Sequence, residues 1–391
     1  MRGVNETKEL KMNITFQKEE FTEKLAPAMG SVSSKNTITS IEGVLIDADK
    51  ESGMIKISAY DMKKGVVAYI KAERILEGGS YIINAQRLMQ ILRLLPDDII
   101  NITVDERFNT VISCGTSNFS LFALKGSDFP KLPELKCENG FIADSFILKK
   151  MINKVIHSIA EQDTRPMLCG AFFKIKKNKL DIVSCDSYTL SKCEIESEIS
   201  DVSNKDDMEF SFIVPGHALN ELVKILSDKG GNISVMLTRK HAIFNFEDLT
   251  FFTRLIDEEY IDYNRIIPKS NDIYVTLKRE RLLAGLERAN LIAEEKSSRS
   301  YVKLIVEGDR LSLASKSANG EVYDEMSCAH EGDGIKIAFN CRYLINSIRA
   351  ADSDEIILTF KSPTQSVTIS PREKKEDEDF FYMVQPVRMN E

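Results

Sequence analysis

Between Asn84 and Leu95 the apolar positions recur with a helical period. Leu88, Ile91, Leu92 and Leu95 fall at i, i+3, i+4 and i+7, on one face of a predicted helix. Asn84 is placed to cap its first turn and Pro96 to end it. Arg87 and Arg93 fall off the stripe; an apolar strand, Tyr81-Ile82-Ile83, leads in, and the alternating Ile100, Ile102 and Val104 lead out. The same unit returns twice. Leu219, Leu222, Val223 and Leu226 follow Phe212-Ile213-Val214, and Leu344, Ser347, Ile348 and Ala351 follow Ile337-Ala338-Phe339. The register continues past each helix into Ile102 and Val104, Ile233 and Val235, and Leu358 and Phe360. One further phase is basic in every copy: Arg93, Lys224 and Arg349. A core stripe is common to all amphipathic helices, but a repeated cation off the stripe points to a shared basic surface. The copies lie 131 and 125 residues apart (219 − 88 and 344 − 219), which predicts three copies of one module.

Each module divides again into two half-units of strand, helix and three strands. In the first, Ile14-Thr15-Phe16 leads into a helix with Phe21, Leu25 and Ala28 inward, followed by runs near 44–46, 55–59 and 66–70. The Asn84 helix is followed by strands near 99–104, 110–114 and 119–124, and 125–138 reads as a linker. The second module opens on a helix with Leu148, Ile152, Val155 and Ile159 inward and Lys150, Lys154 and His157 on another face; a hairpin over 232–255 closes it, and 264–272 links onward. In the third, Leu282, Leu286 and Ala289 face in, Lys278, Arg281 and Arg288 stay polar, 372–379 reads as a solvated loop, and Phe380 to Val387 as a final strand. The expected fold is α+β: three repeated modules of two βαβββ half-units, helices on one side and antiparallel sheets on the other. Residues 1–11 read as a disordered extension, 12–136, 137–267 and 268–391 as the modules.

Composition fits this plan. A chain of 391 residues with 43% hydrophobic content gives each module a core of its own. No apolar run approaches a membrane span and the N-terminus has no apolar signal core, so a cytoplasmic protein is expected, with no membrane partner. The seven scattered cysteines form no CxxC pair, in keeping with reduced thiols. A net charge of −8 argues against a uniformly basic nucleic-acid binder while leaving room for a basic face.

Signatures of catalysis are missing. There is no GxxxxGK[ST] loop, Gly332-Asp333-Gly334 lacks the third glycine of a dinucleotide turn, and the histidines 157, 217, 241 and 330 have no metal-site spacing. Asp97-Asp98 follows a helix-ending proline and reads as a turn. Nothing in these residues positively supports an enzyme, and no metal or cofactor is expected.

Several stretches carry a family resemblance. ILRLLPDD, VISCGTSNFSLFAL and SDFPKL in the first module, HSIAEQDTRPMLCG from His157, DYNRIIP from Asp262 and YMVQPVR from Tyr382 resemble, in order, the bacterial DNA polymerase III β subunit, the sliding clamp. The resemblance implies a head-to-tail homodimeric ring whose helices surround duplex DNA without reading sequence. It also implies partners: the replicative polymerase α-type subunit, a clamp loader, and other polymerases and repair proteins carrying clamp-binding peptides. A peptide-binding scaffold that never encloses DNA is the alternative.

Carried over by position, Lys35 and Gln162 match DNA-contacting loop residues. Arg93, Lys150, Lys154, Lys224, Arg281 and Arg349 are the helix-borne candidates for phosphate contact. Phe119 and Leu121 match one side of the dimer interface, Leu291 and Ile292 the other. The partner pocket, between the second and third modules, takes Arg165, Leu168, Arg265 and Ile266, with Cys185, Ser187, Tyr188 and Leu190 from one altered loop. The tail supplies Met383, Val384, Gln385, Pro386, Val387, Arg388 and Met389, and Asn340, Tyr343 and Ser366 stand on the rim. Two departures fall here. The family's D-G-H-R-L loop is Asp186-Ser187-Tyr188-Thr189-Leu190, and its F-P-D-Y is Tyr260-Ile261-Asp262-Tyr263, which predicts a reshaped wall.

Overall fold

The computed structural model describes residues 10–33, 38–96, 98–134, 136–137, 139–176, 178–196, 200–201, 209–293, 301–318, 320–374 and 378–389. Among them are six α-helices: α1 (Lys18–Met29), α2 (Ala85–Leu94), α3 (Ser145–Val155), α4 (Gly216–Ile225), α5 (Arg279–Asn290) and α6 (Cys341–Ala350). One ladder strand precedes each helix and three follow it, so the βαβββ half-unit occurs six times. In α2, α3 and α6 the apolar stripe coincides with a capping side chain. The Asn84 carboxamide accepts the Arg87 N–H at 3.0 Å, Asp144 accepts from Ile147 at 3.0 Å, and Asn340 accepts from Arg342 at 3.0 Å. Leu88, Leu92, Leu219, Leu222, Leu344 and Ile348 are buried, as are the strand residues that continue their register. Arg93, Lys224 and Arg349 are exposed. No helix is long and apolar enough to cross a membrane among the described residues.

The chain forms two compact units. The first holds residues up to Ile142 and Gly231–Arg254. Its five-stranded sheet runs Arg74–Glu77, Leu10–Gln17, Ile99–Asp105, Asn109–Cys114, Ser117–Phe122. The start of that first ladder at Leu10, opposite Asp105, brings residues 10 and 11 into the fold; the rest of the expected N-terminal extension lies outside the described residues. A second sheet joins Gly79–Asn84, Gly43–Asp49, Met54–Tyr60 and Lys64–Lys71 to Leu249–Arg254, His241–Asn245 and Asn232–Leu237. Three strands, not the expected hairpin, therefore fill 232–254. Phe16 and Phe21, stacked with centroids 4.1 Å apart, sit in the core beneath α1.

In the second unit a nine-stranded sheet runs Glu209–Pro215, Gly170–Lys176, Lys179–Cys185, Thr189–Glu196, Glu378–Val384, Val367–Pro371, Glu355–Phe360, Ile273–Lys278, Ala329–Glu331. A four-stranded sheet runs Gly320–Ser327, Arg310–Ser317, Val302–Glu307, Ile335–Phe339. Two corrections belong here. Helix α3 stops at Val155 and tightens into a 3-10 turn, Ile156–Ser158, which takes Ile159 off the helical stripe. The final strand is Glu378–Val384, earlier than expected, because Pro386 offers no N–H to a ladder.

Two rules govern these sheets. Half-units exchange their first strands. Leu10–Gln17 pairs with Ile99–Asp105 of the next half-unit, and Gly79–Asn84 returns to pair with Gly43–Asp49; Ile273–Lys278 with Glu355–Phe360, and Ile335–Phe339 with Val302–Glu307, repeat the exchange. Last strands join one another edge to edge. Lys64–Lys71 meets Leu249–Arg254 in the first unit, and Thr189–Glu196 meets Glu378–Val384 in the second.

Candidate functional site

The join between Thr189–Glu196 and Glu378–Val384 puts two turns beside each other. The Thr189 end is a tight turn: Asp186 N–H donates to the Thr189 carbonyl at 3.2 Å, and the Asp186 carboxylate accepts from the Tyr188 and Thr189 N–H groups at 2.9 and 2.6 Å. Ser187 has φ +76°, the left-handed region where glycine is least strained. A serine thus occupies a left-handed position where the resemblance implied a glycine. At the other end Gln385 N–H donates to the Tyr188 carbonyl at 2.8 Å, and Val387 N–H to the Ala338 carbonyl at 2.8 Å. The tail is held across this seam by two bonds on either side of Pro386.

A cavity of about 240 Å³ opens here, lined by Arg165, Leu168, Cys185, Ser187, Tyr188, Thr189, Ile261, Ile266, Met383 and Gln385. Beneath it lies a cluster that includes Leu168, Val183, Cys185, Leu190, Ile213, Tyr260, Tyr263 and Met383. Burial pushes the Cys185 thiol up, so it serves as a neutral wall. Arg165 spans the mouth: it grips Asp163 through Nε and Nη2 at 3.0 and 3.1 Å, and Nη2 donates to Ser187 Oγ at 2.5 Å. The Tyr188 ring stacks on Tyr343 of α6, centroids 5.5 Å apart and planes at 16°. The result is a small apolar hole with a polar, aromatic rim, suited to one or two aliphatic or aromatic side chains.

Eight of the residues expected at the pocket line this cavity: Arg165, Leu168, Cys185, Ser187, Tyr188, Ile266, Met383 and Gln385. Others stand elsewhere. Leu190 is fully buried in the floor, and Val384 is buried in the adjoining core. Asn340 caps α6, Ser366 is buried, and Arg265 is exposed and paired with Asp262 at 2.8 Å. Pro386, Val387, Arg388 and Met389 lie outside the cavity lining, with Val387 drawn toward Ala338. Thr189 and Ile261 line it unforeseen. Both sit at the altered positions of the two family motifs, so the departure itself was the signal.

The expected DNA contacts also divide. Gln162 and Arg281 are exposed. Lys224 pairs with Glu221 at 2.9 Å and Arg349 with Glu287 at 2.8 Å, both at the surface. Lys154 is corrected: its side chain is 4% exposed, bound to Glu378 and set over the Phe380 ring, so its charge is spent inside the protein. Lys150 is half-buried between Asp352 at 2.8 Å and Glu378 at 2.7 Å. Burial resists ionisation of Glu378, but these two ammoniums outweigh it and hold the carboxyl below its usual value. Lys35 lies outside the described residues.

Two last strands have no outer neighbour among the described residues: Ser117–Phe122, which carries the half-buried Phe119 and Leu121, and Gly320–Ser327. Leu291, 80% exposed, and Ile292 follow α5, and Ile292 Cδ1 lies 3.8 Å from where a Cβ at Gly320 would stand.

Comparison with known proteins follows the same division. Models of the N-terminal, central and C-terminal domains of the DNA polymerase III beta subunit match residues 12–133, 143–262 and 264–388. A beta sliding clamp from Staphylococcus epidermidis is 27% identical over 385 residues, spanning 96% of this chain and 99% of that one. The crystal structure of a putative DNA polymerase III beta subunit from Eubacterium rectale superposes with a TM-score of 0.87 at 28% identity, over 97% of this chain and 100% of that one. A sliding clamp from Bartonella birtlesii bound to griselimycin gives 0.88 at 26% identity, again over 97% and 100%. With all three domain models matched in order, the chain belongs to the DNA polymerase III beta subunit family, the non-catalytic sliding clamps of DNA replication.

Proposed function

We propose that two copies of this chain close head to tail into a ring around duplex DNA, and that the ring tethers polymerases through peptides held in the Leu168–Met383 cavity. The observation that carries the ring is the pairing rule of the last strands. Four of the six are joined edge to edge within the chain, while Ser117–Phe122 and Gly320–Ser327 have no outer neighbour among the described residues. Each chain offers one edge of each kind, so two copies pair both of these edges with two-fold symmetry. Phe119 and Leu121 of one copy then face Leu291 and Ile292 of the other. The exposed cations Arg93, Lys224, Arg281 and Arg349, with Gln162 and Lys35, contact phosphates without base readout, which lets the ring slide.

The cavity takes the apolar anchors of a clamp-binding peptide from a replicative polymerase, a clamp loader, or another polymerase or repair protein. Burial of two such side chains contributes roughly 3–6 kcal/mol before ordering costs. Thr189 and Ile261 replace the family's arginine and proline, so peptide preference shifts toward uncharged, aliphatic anchors. That the Bartonella birtlesii relative binds griselimycin supports a ligand-accepting clamp fold. The domains are taken as 12–136, 137–267 and 268–391, and the setting as the cytoplasm.

The test is retention on DNA. Protein loaded on a closed circle by a clamp loader should stay through gel filtration and leave when the circle is linearised. Equal loss from both forms would favour a peptide-binding scaffold that does not enclose DNA.

A further inference from the structure

The seam that carries the peptide cavity has a twin in the first unit, where Lys64–Lys71 meets Leu249–Arg254. The two backbones agree bond for bond. Asp61 N–H donates to the Lys64 carbonyl at 3.1 Å, and the Asp61 carboxylate accepts from the Lys63 and Lys64 N–H groups at 2.9 and 2.8 Å, as Asp186 does in its own turn. Met62 has φ +72° where Ser187 has +76°. Arg254 N–H donates to the Lys63 carbonyl at 2.8 Å, the bond that Gln385 makes to Tyr188. A 3-10 turn also leads into a strand at the same place in both, Thr39–Glu42 before Gly43 and Pro166–Cys169 before Gly170, burying Ile41 in one and Leu168 in the other.

The side chains differ where the hole is. In the second unit Cys185 and Met383 line the cavity, and Leu190, paired with Met383 across the seam, forms its floor. The equivalent residues of the first unit are Tyr60, Phe252 and Gly65. Gly65 leaves room that the Phe252 ring takes: a Cβ there would stand 2.8 Å from Phe252 Cε1. Tyr60 puts a whole ring in place of a thiol. That ring lies against Phe252 with centroids 5.6 Å apart, and its hydroxyl donates to the Met62 carbonyl at 3.4 Å, inside the turn itself. Both rings are buried, in a cluster that includes Ile82, Phe129 and Ile243. The rim differs too. Arg165 and Ser187, hydrogen-bonded across the mouth, correspond to Ile38 and Met62, both exposed.

The space that a partner's anchor would fill in one seam is therefore filled in the other by the chain's own rings, at the density of a protein core. We propose that the first seam is a peptide site closed from within, Tyr60 and Phe252 standing where anchors would go, and that these two rings limit each chain to one peptide. The proposal rests on the reading of the Leu168–Met383 cavity as a peptide site. A ring of two chains then holds two peptides, although it has four seams of this build.

Isothermal titration with the pentapeptide Gln-Leu-Ser-Leu-Phe, and photo-crosslinking with a benzophenone derivative of it, test the proposal. Wild type should bind one peptide per chain and crosslink at the 185–190 turn, not at the 60–65 turn; this count needs no variant to fold. Tyr60→Cys with Phe252→Met, which installs the residues of the open seam, should bind two per chain and crosslink at both turns. The second site should be about tenfold weaker, since it has no counterpart of the Arg165–Ser187 rim. Tyr60→Ala alone, a smaller change to the core, should show the same second site. Phe251→Leu alters the neighbouring buried ring, which points to the other face of the strand and packs on Phe244, and should stay at one. The proposal is overturned if wild type takes a second peptide at the 60–65 turn, or if either opened variant, folded by its thermal transition, stays at one per chain. A wild type that binds no peptide at all would overturn the peptide reading of the Leu168–Met383 cavity itself, and this inference with it.

Discussion

His157 is a histidine that the fold keeps uncharged. Its Nε2 lies 3.2 Å from Ser191 Oγ and 3.4 Å from Ser347 Oγ, its ring meets Tyr382 edge-on at 5.4 Å, and its Nδ1 is buried without a partner. Burial pulls its pKa down to about 4. The folded pKa lies below the unfolded value near 6.5, so the unfolded chain takes up the proton first. The stability is therefore complete above pH 6.5 and is lost as pH falls toward 4, by roughly 3 kcal/mol. Urea unfolding at pH 7 and at pH 4.5 should show wild type losing most of this amount, and His157→Gln losing much less. An equal loss in both proteins would assign the acid sensitivity elsewhere. The Glu378 pair with Lys150 and Lys154 opens in a lower window, below the ordinary glutamate value, since its pKa is depressed. No sequence period reports such a residue. His157 reads as a polar face of α3, and the two serines that receive it are 34 and 190 residues away.

At the scale of elements, the helices were legible because stripe, cap and flanking strands agree locally, as at Asn84 and Leu88. The open edges were not. Whether Ser117–Phe122 or Thr189–Glu196 finds a neighbour depends on a strand far away in the chain, and the alternation of either reads alike. Lys154 failed for the same reason: Glu378, which neutralises it, is 224 residues distant. The edges carry a prediction. Leu291→Ala with Ile292→Ala should leave the monomer's thermal midpoint nearly unchanged, since Leu291 is 80% exposed in the single chain, and should weaken dimerisation by several kcal/mol. Sedimentation should find a folded species of 44.2 kDa in place of one twice that mass. A dimer that persists at nanomolar concentration would move the interface away from these residues.

For the whole molecule, a net charge of −8 coexists with exposed cations at one phase of three helices. Converting Arg93, Lys224 and Arg349 together to Glu should weaken DNA association and flatten its dependence on salt, while the dimer and peptide affinity hold. An unchanged slope in a salt titration of loaded circles would show that this phase does not meet DNA. The exchanged first strands bear on how such a chain is made. Leu10–Gln17 leaves the ribosome well before its long ladder, Ile99–Asp105, which follows 89 residues later (99 − 10). At translation rates of about 5–20 residues per second, an apolar strand waits roughly 5–20 s for its mate. A synonymous pause placed before residue 99 should therefore raise misfolding of the first module more than one placed after residue 122.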